Sequence, residues 1–271
     1  MPHPSFLRSR NQGESEFSLT ASRALSVLAA FDSNRSEMGV SEIARALELS
    51  RTAVQRLVQT LEMHQFLEQN PRNRKYRIGV QAFRIGNLFA PGRRLEILAR
   101  PAMETLGAST TFTVYMSILR HDTMVLTAAV EAAGPMRYCA QIGQRLPLHS
   151  TASGKVALAQ LRPEDASRLL ESAGMRPVTA NTTTDRAKLL SELAAIRARG
   201  FSINWEEHTQ GVGSVAAPIF DHTDGLLAVL SVAFATSQVE RRLTPALGVL
   251  VAKTATDISA LARDTARSDA A

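Results

Sequence analysis

The stretch VSEIARALELSRTAVQRLVQTLEMH, residues 40–64, decides how the N-terminal part of the chain folds. Apolar residues recur in each half at the spacing that places them on one side of a helix. They are Val40, Ile43, Ala44 and Leu47 in the first half, and Val54, Leu57, Val58 and Leu61 in the second. Only a few residues separate the two patterns, and Ser50 stands where it can cap the second helix. Two amphipathic helices joined by so tight a turn predict a helix-turn-helix.

The outer face of the second helix is predicted to read DNA. It carries side chains that hydrogen-bond to base edges and phosphates in a major groove, and none of them is acidic. These are Arg51, Thr52, Gln55, Arg56 and Gln59, with Ser50 at the helix start. Glu62 comes only near the C-terminal end, where an inserted helix already leaves the groove.

A basic hairpin follows this helix. FLEQ (66–69) and KYRIG (75–79) have the pattern of short strands, and NPRNR (70–74) between them has the composition of a turn. A hairpin in this position is a wing, so Arg72, Arg74 and Lys75 are expected to lie along the phosphate backbone or in a minor groove. A helix-turn-helix pattern alone is common by chance, but its combination with a basic wing is specific for DNA binding.

A third helix precedes the pair. SLTASRALSVLAAF (18–31) places Ser18 as the N-cap and Leu25, Leu28 and Phe31 on one face. Residues 18–79 are therefore predicted to form a winged helix-turn-helix domain. The polar residues 1–17 have no apolar segment of the kind a signal peptide needs, and we expect a disordered tail there.

Composition narrows the class of protein. The chain has 271 residues, enough for two domains, and a net charge of +6 that favours polyanionic partners. Its only cysteine, Cys139, excludes an internal disulfide and favours a cytoplasmic location. The longest apolar run, residues 226–235, is half the ~20 residues of a membrane helix, so no membrane partner is expected.

The rest of the chain is predicted to be a helical linker and a second domain. Residues 80–107 are helical in period, with a break at Pro91–Gly92 and a kink or restart at Pro101. From residue 108 to residue 266, strand patterns alternate with helical ones, which predicts a mixed α/β domain. The last helix is expected over 239–262, with Leu243, Leu247, Val251, Ile258 and Leu261 along its apolar side.

The segment LPLHSTASGKVALA (146–159) has the residue types of an active site without the spacing of one. A P-loop requires glycine at 149 and a hydroxyl residue at 156, which here are His149 and Val156. A Ser-x-x-Lys nucleophile requires serine at 152, which is Ala152, and no G-x-S-x-G elbow surrounds Ser153. The histidines likewise lack the spacing of a metal site. Neither catalysis, nor a metal, nor a cofactor is expected.

The same segment offers an anion site. Its small residues lead into a helix, so backbone N–H groups remain unpaired and accessible to a carboxylate. The alternative is an ordinary capped helix without a ligand.

The whole chain, over residues 18–265, resembles the IclR family of bacterial transcriptional regulators. The resemblance lies in SRALSVLAAF, VSEIARALELSRTAVQRLVQTL and YRIG near the N-terminus, and in GQRLPLHSTASGKVALA, ELAAIRARGFSINWEEHTQGVGSVAAPIFD and GLLAVLSVAFA further on. It implies an α+β fold with an N-terminal winged helix-turn-helix, a helical linker and a C-terminal GAF-like effector-binding domain. It also implies double-stranded DNA with a palindromic operator as partner, a small organic or aromatic acid as effector, and assembly as a homodimer or a dimer of dimers.

The resemblance also implies an effector pocket. The matching positions are Ala152, Ser153, Gly154, Asn204, Ser214, Ser231 and Ala233. Three of them depart from the pattern of the known small-acid sensors: Asn204 replaces a common aspartate, Ser214 a common cysteine, and Ala233 a serine. Two alternatives stay open, an enzyme with an accessory helix-turn-helix and a DNA-binding protein whose C-terminal domain only oligomerises.

Overall fold

A computed structural model describes residues 18–32, 35–88, 90–131 and 140–269. The predicted tail, residues 1–17, lies outside the described residues. The chain divides into two compact units, residues 1–89 and 90–271. This division falls inside the segment 80–107, which the sequence predicts as one linker, so the first linker helix belongs to the first unit and the second to the other. The predicted domain bounds stay a prediction.

The first unit has the predicted order of helices and strands. Its elements are α1 (Leu19–Ala29), α2 (Val40–Leu47), α3 (Arg51–Met63), β1 (Leu67–Gln69), β2 (Tyr76–Ile78) and α4 (Val80–Gly86). The hydroxyl oxygens of Ser18 and Ser50 accept hydrogen bonds from the first turns of α1 and α3, which confirms both predicted caps. Glu48, in the left-handed conformation with φ 55°, ends α2 and begins the tight turn into α3. The helix-turn-helix is therefore confirmed.

The core of this unit follows the predicted stripes in two of the three helices. All four predicted apolar residues of α3, Val54, Leu57, Val58 and Leu61, are buried. The prediction for α1 was partly wrong, because Leu25 is exposed and Val27 is the residue that packs fully into the core. At 100° per residue, the two positions fall on different sides of the helix, and the short apolar run did not distinguish them.

The second unit is built on one antiparallel sheet. Its helices are α5 (Ala90–Thr110), α6 (Ala152–Ala159), α7 (Pro163–Ala173), α8 (Arg186–Arg199) and α9 (Thr244–Asp269). Its strands are β3 (Thr113–Arg120), β4 (Thr123–Val130), β5 (Arg145–Leu146), β6 (Ser202–Trp205), β7 (Val212–Phe220) and β8 (Leu226–Ala235). They pair in the order β5-β4-β3-β8-β7-β6. The two strands at the edges of the sheet, β5 and β6, are its shortest.

The sheet buries both of its faces. One face carries Val114, Val215 and Val232, which share a hydrophobic core with residues of α5 and α9. The opposite face carries Ala216 and Val229, which share a second core with residues of α6, α7 and α8. Burial on both sides explains why these strands read as nearly continuous apolar runs rather than as alternating ones.

Three expectations for the long helices need correction. A single helix, α5, runs through Pro101, so the predicted restart does not occur. Pro91 lies in the first turn of α5, where its missing N–H costs little, and the break comes before it, after α4. In the last segment Val251 and Ile258 are buried as predicted, whereas Leu243 and Leu261 are exposed.

The segment Arg241–Thr265 is long and apolar enough to cross a bilayer by length and composition alone. The core helix of a soluble domain has the same properties, and α9 packs Val251, Ala255 and Ile258 against the sheet.

Candidate functional site

The outer face of α3 presents the predicted polar side chains to solvent. Arg51, Thr52, Arg56 and Gln59 are exposed. Gln55 differs from them, because it is half-buried and hydrogen-bonds the side chain of Tyr76 in β2. Within the part of the chain that the structure describes, neither Arg51 nor Arg56 has an ion pair, so both cations are available for DNA.

The basic side chains of the hairpin fall into two groups. Lys75 forms an ion pair with Glu42 at 3.1 Å, and Arg77 forms one with Glu68 across the strands at 2.9 Å. Arg72 and Arg74 are exposed, and neither has an acidic partner among the described residues. Of the three predicted wing contacts, Arg72 and Arg74 are therefore the two whose charge is not already balanced.

Glu37 anchors the tip of the hairpin, a role that the sequence did not reveal. Its two carboxylate oxygens accept hydrogen bonds from Asn70 Nδ2 at 3.0 Å and from Asn73 Nδ2 at 2.7 Å. These two bonds lower the pKa of the Glu37 carboxyl. Asn70 and Asn73 therefore shape the turn and also attach the wing to Glu37. In the sequence, the only sign of this attachment is the close spacing of the two asparagines.

The strand register brings four of the predicted effector residues to one face of the sheet. Asn204 pairs with Ser214, and Ser214 pairs with Ala233, so the three form a row across β6, β7 and β8. Ser231 lies in the neighbouring row of the same face. This is the face against which α6 packs. The start of α6, with Ala152, Ser153 and Gly154, therefore lies on the same side of the sheet as these four residues.

The start of α6 is shaped by a tight turn. Thr151 Oγ1 accepts from the Gly154 amide at 3.1 Å and donates to the Pro147 carbonyl oxygen at 2.7 Å. A Cβ at position 154 would lie 2.3 Å from the Leu148 carbonyl oxygen, so only glycine fits this approach. Among the residues that the structure describes, no group accepts from the N–H of Ala152 or of Ser153. Two amides at a helix N-terminus are thus free to bind an anion.

Three hydroxyl side chains belong to the same side of the sheet as these amides. The described residues provide no hydrogen-bond partner for the side chains of Ser153, Ser214 or Ser231, although Ser153 and Ser231 are more than nine-tenths buried. Next to them Tyr115, Leu126 and Ala233 form a small apolar cluster. The sequence did not single out Tyr115, which is the register partner of Ser231 across β3 and β8.

Asn204 bonds to the protein at both ends of its amide. Its Nδ2 donates to the Ser150 carbonyl oxygen at 2.6 Å, and its Oδ1 accepts from the Glu207 amide at 3.3 Å. The predicted effector residues are thus brought together, but Asn204 faces the loop before α6 rather than standing free.

A buried ionic cluster supports the same region. Lys155, in the second turn of α6, is 1% exposed, and its ammonium contacts the carboxylates of Glu207 and Glu192. Burial raises the pKa of Glu207 and lowers the pKa of both His149 and His208. In the sequence, Lys155 stands in the incomplete phosphate-loop pattern of residues 149–156, and no local spacing relates it to Glu192 or Glu207.

A groove of about 760 Å³ runs beside β6, and Ile203, Trp205 and Glu207 are among the residues that line it. None of the seven predicted effector residues lines this groove. Within the described residues there is no group of three or more His, Cys, Asp or Glu side chains that could hold a metal ion.

These features define a class of protein. A winged helix-turn-helix with unpaired cations on its outer face, followed by a sheet domain with a buried polar site, is the architecture of a ligand-responsive transcriptional regulator. A family model described as the C-terminal domain of the bacterial transcriptional regulator IclR matches residues 92–260, and one described as the IclR helix-turn-helix domain matches residues 20–71. The chain belongs to the IclR family, and the predicted α+β fold is confirmed.

Two curated relatives are similar over most of the chain. The HTH-type transcriptional regulator XynR of Escherichia coli (strain K12) is 32% identical over 218 residues, which are 80% of this chain and 86% of XynR. The HTH-type transcriptional repressor AllR of the same strain is 29% identical over 237 residues, 88% of each protein.

Solved structures have the same fold. A putative transcriptional regulator from Rhodococcus sp. RHA1 has a TM-score of 0.76 and 26% identity, and the match covers 91% of this chain and 98% of that one. An IclR homolog from Microbacterium hydrocarbonoxydans, crystallised with 4-hydroxybenzoate, has a TM-score of 0.78 and 23% identity over 89% of this chain and 98% of that one.

Proposed function

We propose that this protein binds a palindromic operator as a homodimer or a dimer of dimers, and that a small organic or aromatic acid changes its affinity for DNA. The proposal places the protein in the cytoplasm, where its operator is. The observation that carries the effector part is the pair of unpaired amides at Ala152 and Ser153, on the side of the sheet that also carries Ser231, a residue only 8% exposed. A carboxylate accepts from such donors, and the start of a helix favours negative charge.

The chemistry of the site favours an acid with an apolar body. The carboxylate would meet the amides at the start of α6, while the rest of the molecule would lie against Tyr115, Leu126 and Ala233. The complex of the Microbacterium homolog with 4-hydroxybenzoate supports this class of ligand. An effector shifts the DNA-bound population only by its difference in affinity for two states of the protein, typically about 1–3 kcal/mol.

The DNA part of the proposal assigns the groove contacts to α3. Arg51 and Arg56 would reach base edges and phosphates, with Thr52 and Gln59 beside them, while Arg72 and Arg74 would contact the neighbouring backbone. Gln55 contributes less in this proposal than the sequence predicts, because its side chain bonds to Tyr76. A second copy of the chain would place a second α3 on the other half-site.

Exposed apolar residues of the first unit support assembly with a second copy. Helix α4 buries none of its residues, and Phe83 and Val80 are 70% and 64% exposed. Leu19 and Leu25 of α1 are exposed to a similar degree. Exposed large apolar side chains of this kind favour a role in association with a partner. We assign these side chains to the homodimer interface.

Gel shifts on a selected operator test the DNA part. Arg51→Ala and Arg56→Ala should each weaken binding, and Arg23→Ala on α1 is the matched control with the same loss of charge. Unchanged operator affinity in both α3 variants would reject the assigned recognition face.

Thermal-shift screening against small carboxylates, aromatic acids and sugar acids tests the effector part. An acid that raises the melting temperature of the wild type but not of Ser153→Trp supports the site. If no acid stabilises the protein, the C-terminal domain is better explained as an oligomerisation domain. Conversion of a bound acid to product by the purified protein would instead favour an enzyme.

A further inference from the structure

Two side chains near the end of β6 hold the segment 150–155 from both sides. On the loop side, Asn204 Nδ2 donates to the Ser150 carbonyl oxygen at 2.6 Å. On the helix side, the Glu207 carboxylate accepts from Lys155 Nζ at 2.7 Å. The unpaired amides at the start of α6 lie in the chain between these two attachment points.

The Asn204 side chain is also bonded to the backbone of Glu207. The Glu207 amide donates to Asn204 Oδ1 at 3.3 Å, so the loop, β6 and α6 form one connected set of hydrogen bonds. Asn204 is 2% exposed, and Lys155 is 1% exposed. Buried polar networks whose members all have partners are rigid, because each broken bond would leave a polar group without water to replace it.

We propose that Asn204 and Glu207 are positioning residues that clamp the start of α6 and so hold the amides of Ala152 and Ser153 ready for an anion. This inference rests on the proposed function, because it concerns the same effector site. The clamp raises affinity by fixing the donors before the ligand arrives, so that binding does not have to order the loop.

The clamp requires an amide at position 204. An aspartate there could accept from the Glu207 amide, but its carboxylate has no N–H for the Ser150 carbonyl oxygen. Two oxygens would then face each other in a buried site, and the negative charge would also oppose an anionic ligand. Protonation of that carboxyl would restore a donor, so an Asn204→Asp protein should regain the clamp as the pH falls.

Several charged groups contribute to the electrostatic field around position 204. Lys155 comes from α6 and Glu192 from α8, while Glu207 and His208 follow β6. His149, in the loop before α6, is another titratable group of this region. Because all of them are present in the wild type and in the variants, each variant is compared with the wild type at the same pH.

Hydrogen exchange of the full-length protein without ligand tests the clamp. At about pH 8 we expect Asn204→Asp to reduce the protection of amides 150–155 by about tenfold relative to the wild type. At about pH 5 the difference should shrink to less than about threefold, because burial at position 204 raises the pKa of the new carboxyl and so favours its protonation. Asn181→Asp, which adds the same charge at an exposed position, should leave this segment unchanged at both pH values.

A loss of general stability would give a different result. It would raise exchange throughout the second unit, including β8 and α9, and would not recover at low pH. Wild-type protection of 150–155 in Asn204→Asp at about pH 8, or an increase spread evenly over the unit, would overturn the proposal. If Asn204→Asp does not fold, Glu207→Gln is the second variant. It should loosen the same segment selectively, and uniform or absent changes would again overturn the clamp.

Binding of 4-hydroxybenzoate, measured by calorimetry, separates the clamp from the effector proposal. If the wild type binds this acid, Asn204→Asp should bind it at least about tenfold more weakly at about pH 8. Equal affinity of the two proteins would overturn the clamp. If the wild type does not bind it, that result counts against the proposed effector class, and the exchange measurement still decides whether the clamp exists.

Discussion

The ammonium of Lys155 lies 2.7 Å from each carboxylate oxygen of Glu207 and 2.9 and 3.0 Å from the two oxygens of Glu192. One buried cation therefore joins α6 to α8 and to the segment after β6. A cation in this position stabilises the domain mainly because its removal would leave two carboxylates without a neutralising charge.

Replacement of Lys155 by methionine should destabilise the second unit strongly. Breaking a buried ion pair by removing one partner costs about 3–5 kcal/mol, and the partial exposure of Glu192 favours the lower end of that range. Urea unfolding can be followed by the fluorescence of the single tryptophan, Trp205, which lies in β6.

Lys188→Met is the matched control for this prediction, because Lys188 is exposed on α8. The control should change the free energy of unfolding by less than about 0.5 kcal/mol. If Lys155→Met and Lys188→Met unfold at the same urea concentration, the ionic cluster does not stabilise the domain as we infer.

The sequence predicted the DNA-binding unit better than the ligand-binding one. In the helix-turn-helix, the determinants are local: apolar residues at helical spacing, a serine cap and a polar turn. Three of those local signals, at Ser18, Ser50 and Leu57, correspond to what the structure shows. The prediction that Leu25 is buried was wrong, because a short apolar helix can turn any of several faces toward the core.

The candidate effector site depends on contacts between distant parts of the chain. Ser150 and Asn204 are 54 positions apart, and Lys155 and Glu207 are 52 apart. No periodicity within a window of one helix or strand contains such information. The resemblance to a family indicated which residues belong to the effector site. The hydrogen-bond partners of Asn204 and Lys155, however, follow only from the antiparallel register of β6 with β7 and from the packing of α6 on the sheet.

Buried His149 and half-buried His208 should make the protein less stable in mild acid. Burial lowers the pKa of His149 and His208 from the ordinary value of 6.5, so the unfolded chain takes up protons first as the pH falls. A group whose pKa is lower in the folded state stabilises the fold above its unfolded pKa and loses that contribution below it. The free energy of unfolding should therefore begin to fall as the pH drops below about 7.5 and continue to fall through the ordinary histidine range.

Substitution of His208 by glutamine tests which groups cause this fall. The variant should remove about half of the decrease, because His149 continues to titrate. His222→Gln, at an exposed position in the turn between β7 and β8, should leave the whole decrease in place. Parallel urea titrations at several pH values provide the measurement, and an identical slope in the His208 variant would exclude that histidine as a cause.

The wing should contribute to DNA affinity through Arg72 and Arg74. Each side chain that neutralises a phosphate adds about 0.9 to the slope of log K against log salt concentration. Arg72→Ala and Arg74→Ala should each lower that slope by up to about one unit, with similar losses on operator and unrelated DNA. Fluorescence anisotropy over a range of salt concentrations measures both quantities.

A charge-neutral control accompanies the wing variants. The double variant Glu68→Ala with Arg77→Ala removes an ion pair from the same hairpin without changing the net charge. Its salt slope should stay close to that of the wild type. A slope that is unaltered in both arginine variants would mean that the hairpin does not touch the phosphate backbone.

Phe83 should be required for dimerisation. It is 70% exposed on α4, in a unit where Leu19, Leu25 and Val80 are exposed as well. Burying a phenylalanine contributes about 1.5–3 kcal/mol, and aspartate in its place would add the cost of burying a charge at the interface. Phe83→Asp should therefore weaken self-association at least about tenfold in sedimentation experiments, because each 1.4 kcal/mol changes the dissociation constant by that factor.

Val178→Asp makes a similar change at an exposed position of the second unit and should leave assembly unchanged. Because two half-sites are then bound independently, Phe83→Asp should also lose most of its preference for a full operator over a single half-site. A Phe83→Asp protein that sediments like the wild type would place the subunit interface elsewhere.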